Sequence, residues 1–278
     1  MIGVFDSGSG GLTILEALHE AMPTQDFLYL GDHANAPYGH RSNEQIVDMT
    51  RDCVETLFGA GCDLVILACN TAAAIALRTL QQDWLPTAYP NKRILGVLVP
   101  MVESLTGVPW SQEHPNGGKP KDRSILLFAT RKTVESGSYL DEVNKRAPHV
   151  SLVQKACPGL VDAIEGGAGE APMRGLIDGF VNEVLADVPA PDAAFLGCTH
   201  FPLVRDYFRA ALPATTELLS QPEIVARSLK DYLARHSEFQ QGGSGHIRLL
   251  TTGRPEDVTM ADAYLPEKLR HFEDHTNA

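Results

Sequence analysis

The sequence has no apolar run long enough to cross a membrane, no Cys-x-x-Cys pair and no excess of basic residues. A membrane-spanning helix needs about 20 consecutive apolar residues, and the nearest candidate, residues 64–77, is interrupted by Asn70 and Thr71. Without paired cysteines, a structural zinc site is not expected. The chain carries 35 acidic and 23 basic residues, a formal net charge of −12. This charge disfavours binding to nucleic acid or to an anionic membrane surface.

The beginning of the chain and its cysteine content both point to a reducing compartment. The first strand-like run, residues 2–5, leaves no room for a signal peptide, so we expect a cytoplasmic protein. The five cysteines are odd in number and scattered, which argues against a disulfide framework. The 278 residues are 44% apolar and 21% charged, as in an ordinary soluble protein with one large or two medium domains.

Short apolar runs alternate with helical patterns along most of the chain. The runs predict strands at residues 2–5, 27–30, 64–68, 94–98, 124–128, 151–153, 193–196, 217–219 and 247–250. This alternation predicts an α/β fold with doubly wound, mostly parallel sheets covered by helices. The clearest helix, residues 43–59, begins with a capping box formed by Ser42 and Gln45.

Two segments have the same arrangement of residue types. Residues 64–71 (LVILACNT) and 193–200 (AAFLGCTH) each end a predicted strand in a cysteine followed by a threonine-containing polar turn. In open α/β sheets, ligands bind at the carboxyl ends of the strands. We therefore expect Cys69 and Cys198 to face one substrate. One thiol would remove a proton and the other would return it from the opposite face.

The two cysteine segments lie nearly half the chain apart, which suggests an approximate internal duplication. We predict two pseudo-symmetric domains with the active site in the cleft between them. Residues 1–98 and 210–278 would form the first domain, and residues 99–209 the second. Residues 109–122 contain three prolines and two adjacent glycines, so they are predicted to form a long surface loop.

Polar turns follow other predicted strands as well. Residues 6–11 (DSGSGG) lead into a helix near Leu12, where glycines permit close approach of a ligand to the backbone. Dinucleotide binding is disfavoured because Thr13 stands where a third glycine would be needed. Residues 32–39 (DHANAPYG) and residues 129–133 (ATRKT) follow the second and fifth strands.

Most buried cysteines are inert core residues, and this is the interpretation for Cys53, Cys62 and Cys157. Two cysteines at equivalent strand ends make that interpretation less fitting for Cys69 and Cys198. Activation of a thiol, whose pKa is about 8.5, needs nearby cations, backbone dipoles or a base. His200 is placed to orient or protonate Cys198. Glu165 lies on a predicted helix, where a glutamate side chain is usually exposed to solvent.

The ordered set of segments resembles the aspartate/glutamate racemase family of cofactor-independent amino-acid racemases, and within it the enzymes that act on glutamate. The matching residues are 2–8 with 10–13, 32 with 37–39, 68–72, 130 with 133 and 139, 157–158 with 165, 197–200 with 202–203, and 251–253. The resemblance implies two α/β domains with the active site between them, and neither cofactor nor metal. It implies interconversion of L- and D-glutamate, which supplies D-glutamate for peptidoglycan, by a homodimer.

The resemblance also implies roles for individual residues. Cys69 would be the base for the D-isomer and Cys198 the base for the L-isomer, with Asp6 and His200 as assisting groups and Glu165 as a further candidate. The residues implied to bind the substrate are Asp6, Ser7, Pro37, Tyr38, Gly39, Asn70, Thr71, Thr130, Thr133, Thr199 and His200. The chain departs from the family at Ser9, where valine is frequent, and at Asn35, where arginine is more frequent.

Three other interpretations remain open. A cysteine hydrolase or transferase using Cys198 with His200 would need one essential thiol and would show a burst of acyl-enzyme. A relative acting on aspartate or a hydantoin would share the fold, although His200 favours glutamate because aspartate-specific relatives tend to carry a glutamate there. A non-catalytic amino-acid-binding module would bind its ligand without exchanging the Cα proton.

Overall fold

The computed structural model describes residues 1–110, 122–240, 242–258 and 271–277. The chain forms two compact units, Met1–Val97 with Pro222–Ala278, and Leu98–Gln221. Each unit contains one parallel sheet accompanied by helices, so the predicted α/β fold is confirmed. Within the described ranges, no helix is both long and apolar enough to cross a membrane.

In the described part of the chain, ten strands form two sheets. They are β1 Ile2–Asp6, β2 Phe27–Gly31, β3 Leu64–Leu67, β4 Arg93–Gly96, β5 Arg123–Ala129, β6 Val150–Ala156, β7 Ala193–Gly197, β8 Glu217–Leu219, β9 Ile247–Thr251 and β10 Glu273–Asp274. The first unit has the order β10-β9-β2-β1-β3-β4, and the second has β6-β5-β7-β8. All described pairings are parallel.

The helices lie mostly between the strands. They are α1 Leu12–Ala21, α2 Asn43–Gly59, α3 Asn70–Ile75, α4 Leu77–Thr79, α5 Leu85–Ala88, α6 Leu98–Thr106, α7 Arg131–Glu135, α8 Ser138–Arg146, α9 Leu160–Glu165, α10 Glu170–Leu185, α11 Arg205–Ala211 and α12 Gln221–Arg235. Helix α2 has the bounds and the reciprocal capping box of Ser42 and Gln45 that the sequence predicts.

The central strands of both sheets are buried on both faces. Every residue of β1, β2, β3 and β7 is buried, because helices cover parallel sheets on both sides. Burial of each large apolar side chain contributes about 1.5–3 kcal/mol. The sheets therefore provide rigid frames, and the turns at the carboxyl ends of their strands are held in fixed positions.

The unit boundaries differ from the predicted ones. Residues 210–221 belong to the second unit, because β8 pairs with β7 along Ala193–Phe195 and Glu217–Leu219. The strand predicted at residues 94–98 ends at Gly96, and α6 begins at Leu98. Of the loop predicted at residues 109–122, residues 111–121 lie outside the described part of the chain.

Candidate active site

Cys69 lies directly beyond the carboxyl end of β3 and caps the N-terminus of α3. Its Sγ accepts a hydrogen bond from the backbone N–H of Ala72 at 3.5 Å and lies 3.3 Å from Ser7 Oγ. Helix α3 begins at Asn70 because the cysteine itself serves as the cap. Donors of this kind stabilise the thiolate form, which is the nucleophilic and basic form of cysteine.

The turn after β1 brings Ser7 beside Cys69, because β1 and β3 are neighbours in the sheet, and Asp6 is the last residue of β1. Asp6 is fully buried, and its Oδ2 accepts from the Gly8 N–H at 3.2 Å. The turn requires glycine at position 11, since a Cβ atom there would lie 2.5 Å from Asp6 Cβ. The absence of a side chain at Gly11 therefore allows the start of α1 to approach Asp6 closely.

Asp32 follows β2 and is the centre of a buried polar cluster. Its two carboxylate oxygens accept hydrogen bonds from Tyr38 OH at 2.7 Å, Thr252 Oγ1 at 2.6 Å and Asn35 Nδ2 at 3.0 and 3.1 Å. Burial, followed by the negative charge of Asp32, raises the pKa of Tyr38 well above its usual value. Tyr38 is therefore a neutral phenol that donates to Asp32.

Two more residues with predicted substrate-binding roles lie in the same turn. Pro37 follows a cis Ala36–Pro37 peptide bond, and Gly39 belongs to the 3-10 turn Tyr38–His40. Asn70 and Thr71, at the start of α3, are both buried. The predicted site residues of the first unit thus all lie at the carboxyl end of β1, β2 or β3 or in the segment that follows it.

Asp32→Asn should destabilise the protein by about 1–3 kcal/mol, because a buried amide would present its own N–H groups to three donors that need an acceptor. Urea unfolding of both proteins measures this difference. Asp52→Asn is the control, since the Asp52 side chain is 67% exposed and surface changes of this kind usually stay within about 0.5 kcal/mol. Equal unfolding midpoints for Asp32→Asn and the wild type would contradict the assignment of the cluster.

The second unit places Cys198 at the carboxyl end of β7 in the same manner. Cys198 is buried, and its Sγ lies 4.0 Å from His200 Nδ1. The other ring nitrogen of His200, Nε2, lies 2.8 Å from Glu165 Oε1. Cys198, His200 and Glu165 therefore form a chain of thiol, imidazole and carboxylate.

The charges of its neighbours keep His200 protonated. Burial alone would lower the pKa of His200, but hydrogen bonds and negative charge from Cys198 and Glu165 outweigh it and raise the pKa to about 10. Near neutral pH, His200 is thus an imidazolium cation next to the Cys198 sulfur.

Thr130 directly follows β5, and Thr133 lies in the first turn of α7. Strand β5 pairs with β7, the strand that precedes Cys198. Thr130 caps α7 by accepting from the Thr133 N–H at 3.2 Å, and the two hydroxyl oxygens are 3.0 Å apart. Thr199 is buried between Cys198 and His200 in the chain. These hydroxyl groups lie at the same edge of the sheet as Cys198.

The other free cysteines have a different environment. Burial raises the pKa of Cys62 to about 12, and it raises the pKa values of Cys53 and Cys157 further. They are therefore neutral thiols. Within the described ranges, no three histidine, cysteine, aspartate or glutamate side chains form a group that could hold a metal ion.

The structure also shows functional neighbours that sequence reasoning missed. Thr252 and Asn35 hold Asp32, and Tyr29 OH donates to the carbonyl of Gly8 at 2.6 Å. Thr252 belongs to residues 251–253, one of the segments that match the family, so the resemblance could have indicated a role for it. Tyr29 offered none, because it lies inside an apolar strand.

The fold and the site define an α/β protein with a free thiol at the carboxyl end of a central strand in each of two units. The chain belongs to the Asp/Glu/Hydantoin racemase family, whose model matches residues 2–226. It is therefore an isomerase that acts on amino acids.

Individual members of the family are similar over nearly the whole chain. The glutamate racemase of Phenylobacterium zucineum (strain HLK1) is 47% identical over 262 residues, covering 91% of this chain and 92% of the relative. The structure of glutamate racemase from Thermus thermophilus in complex with β-chloro-D-alanine has a TM-score of 0.79 and 29% identity, covering 98% of this chain and 95% of that one. The enzyme from Francisella tularensis subsp. tularensis SCHU S4, in complex with D-glutamate, has a TM-score of 0.82 and 25% identity, covering 98% and 96%.

Proposed function

We propose that this chain interconverts L- and D-glutamate without a cofactor, using Cys69 and Cys198 as the two acid–base groups. The observation that carries the proposal is a free thiol at the carboxyl end of a central strand in each unit. The choice of glutamate is supported by the 47% identity to a glutamate racemase across 91% of the chain.

The chemistry requires two groups. The Cα proton of an amino acid is a very weak acid, and a single base would return the proton to the face from which it was taken. Inversion needs a second acid on the opposite face of the carbon. In the proposed reaction, Cys69 takes the proton from D-glutamate while Cys198 delivers one to the other face, and the roles exchange for L-glutamate.

The surroundings of Cys69 suit it to the role of base. The Ala72 N–H donates to the sulfur, and Ser7 Oγ lies within hydrogen-bonding distance of it. Both groups stabilise negative charge on the sulfur without protonating it. Asp6 is the proposed assisting carboxylate in this unit, close to the incoming substrate ammonium group.

The surroundings of Cys198 suit it to both donation and acceptance of a proton. The His200 imidazolium lies next to the Cys198 sulfur, where it can pass a proton to it, and Glu165 holds the ring in place through Nε2. Cys198 and His200 can therefore share a proton that Cys198 takes up. This pair is the proposed acid when D-glutamate is converted to L-glutamate.

The remaining predicted site residues would bind the substrate by its charged groups. Preorganised N–H and O–H donors stabilise the negative charge that develops on the α-carboxylate when Cα loses its proton. The proposed ligands of the substrate are Ser7, Tyr38, Gly39, Asn70, Thr71, Thr130, Thr133 and Thr199, together with Pro37, which has no N–H and would contact the substrate without donating a hydrogen bond. The Tyr38 hydroxyl group already donates to Asp32, so Tyr38 would bind the substrate through its backbone N–H.

We also propose that the product D-glutamate is used for peptidoglycan synthesis in the cytoplasm. The support is the similarity to bacterial glutamate racemases. The homodimer that the resemblance implies stays a prediction, and sedimentation equilibrium of the purified chain tests it.

L-Glutamate incubated with the enzyme in D₂O should lose its Cα proton signal in NMR spectra while its circular dichroism decays to zero. Both changes follow because inversion exchanges the Cα proton with solvent through the thiols. L-Aspartate and a hydantoin, tested in parallel, should react at least about 100-fold more slowly, since a missing or unmatched polar contact has a cost of this size.

Each alternative predicts a different result in this experiment. A binding module would give a calorimetric signal with glutamate and no deuterium incorporation. A cysteine hydrolase would show neither exchange nor loss of dichroism. Faster reaction with aspartate or the hydantoin would move the substrate assignment to that relative.

A further inference from the structure

His33 connects the turn that carries Ser7 to the strand β9. Its Nε2 lies 2.8 Å from Ser9 Oγ, and its Nδ1 lies 2.8 Å from Thr251 Oγ1 and 3.1 Å from the carbonyl oxygen of Gly31. Ser9 and Thr251 are both buried. The register of β2 with β9, which pairs Gly31 with Thr251, brings these distant residues together.

The partners of His33 assign its hydrogen. Because the Gly31 carbonyl oxygen can only accept, we assign the hydrogen of the neutral ring to Nδ1, which leaves Nε2 to accept from the Ser9 hydroxyl group. Thr251 Oγ1 also accepts from the Gly253 N–H at 3.0 Å. The His33 ring therefore has a fixed orientation. Its Nδ1 is bound to the backbone of Gly31, and its Nε2 holds the side chain of Ser9.

The residue that His33 holds lies two positions from the predicted substrate-binding Ser7. Between them, both backbone polar groups of Gly8 form hydrogen bonds. Its N–H donates to Asp6 Oδ2 at 3.2 Å, and its carbonyl oxygen accepts from Tyr29 OH at 2.6 Å. Ser7 Oγ in turn lies 3.3 Å from Cys69 Sγ. The position of the Ser7 hydroxyl group therefore depends on a turn that is fixed at Gly8 and Ser9.

The end of the chain packs against the same group of residues. The ring of Phe272 meets His33 edge-on, with centroids 5.3 Å apart and planes at 86°, and meets Tyr29 at 6.1 Å and 72°. The next two residues form β10, which pairs with Leu250 and Thr251 of β9. Phe272 thus contacts both side chains that fix the turn at Gly8 and Ser9.

We propose that His33 is a positioning residue for the racemisation, which holds Ser7 against the Cys69 thiol through Ser9, and that Phe272 keeps its ring in place. The proposal rests on the proposed function for its kinetic consequences. A displacement of the reacting groups by about 1 Å lowers a rate by roughly 100-fold, so a turn released at Ser9 lowers kcat.

His33→Leu should lower kcat by about 10- to 100-fold and change KM for glutamate by less than about 3-fold, because the thiol and not the whole binding site is affected. His33→Gln places an amide oxygen near the position of Nε2, so it should restore kcat to within about 5-fold of the wild type. Ser9→Ala, a small change that preserves the ring, should lower kcat in the same way as His33→Leu. His246→Leu, an exposed histidine of the same unit, is the control and should keep the wild-type rate.

Hydrogen–deuterium exchange gives a second measurement that does not depend on the substrate. Amides of residues 7–11 should exchange faster in His33→Leu, in Ser9→Ala and in Phe272→Ala, while those of β5 stay unchanged. Failure of the wild type to racemise glutamate would overturn the proposed function, and exchange in the turn would still decide the role of His33. Wild-type kcat in Ser9→Ala, or equal losses of kcat in His33→Gln and His33→Leu, would overturn the inference.

Discussion

Replacing Cys69 or Cys198 with serine should lower the rate of glutamate interconversion by about 10³-fold or more in both directions. A positioned acid or base contributes about 10²–10⁴-fold, and a serine hydroxyl group is too weak an acid to replace the thiol at neutral pH. Both directions fail together because the proton that one thiol removes must be matched by one that the other delivers. Circular dichroism of reactions started from L- and D-glutamate measures both rates.

Cys62→Ser is the matched control for this experiment. Cys62 is also buried and also adjoins β3, but it precedes the strand, whereas Cys69 follows it. We expect its rate to stay within about 3-fold of the wild type, and its thermal unfolding shows whether a buried serine alone disturbs the fold. If Cys198→Ser racemised normally while Cys69→Ser did not, the second base would lie elsewhere. An effect of Cys198→Ser alone, with a burst of acyl-enzyme in the wild type, would favour the cysteine hydrolase.

The pair of His200 and Glu165 should make the enzyme sensitive to high pH. The pKa of His200 is raised to about 10 in the folded protein, above its ordinary value of about 6.5. Its charged form therefore stabilises the fold fully below about pH 6.5, and this contribution is lost as the pH rises through about 10. We expect kcat to fall over the same upper range, because the neutral imidazole can no longer supply a proton to the Cys198 sulfur.

Glu165→Gln tests the origin of this behaviour. Glutamine can still accept a hydrogen bond from Nε2, but it removes one of the negative charges that raise the pKa of His200. The decline of kcat should therefore begin at lower pH, and kcat at neutral pH should fall by about 10-fold. Glu170→Gln is the control, because Glu170 forms an exposed ion pair with Arg174.

Two outcomes would contradict this assignment. A pH profile of Glu165→Gln that coincides with the wild type would show that the carboxylate does not tune His200. A loss of activity at all pH values together with a lowered unfolding temperature would show that Glu165 acts on folding alone. Near-ultraviolet dichroism recorded at each pH separates loss of chemistry from loss of structure.

Most of the strand content could be predicted from the sequence, because buried parallel strands are short apolar runs with polar turns at both ends. All nine predicted runs contain a strand. Strand β10 was not predicted, because two residues, Glu273 and Asp274, have no pattern of their own and pair only because β9 lies beside them. The compact units divide at residue 221 and not at residue 209 for a related reason, since β8 belongs to the second unit by its pairing with β7.

The site divides in the same way. The placement of Cys69 and Cys198 after strands follows from the residues around each, whereas the caps formed by Cys69 and Thr130 were not predicted. The contact of His200 with Glu165 joins residues 35 positions apart, and the contact of His33 with Thr251 joins residues 218 positions apart. No local pattern predicts such a pair, because each depends on which strands become neighbours.

The sequence by itself determined the α/β class, the positions of the strands and the two thiols at their carboxyl ends, because these depend on short-range burial and on hydrogen bonds between residues a few positions apart. Only the tertiary structure decided which polar side chains meet. Sheet order and register bring the turn after β1 beside Cys69, Thr251 beside His33 and Thr252 beside Asp32. These contacts fix the charges and orientations of the groups because each buried donor or acceptor must find its partner among strands that are distant in the chain.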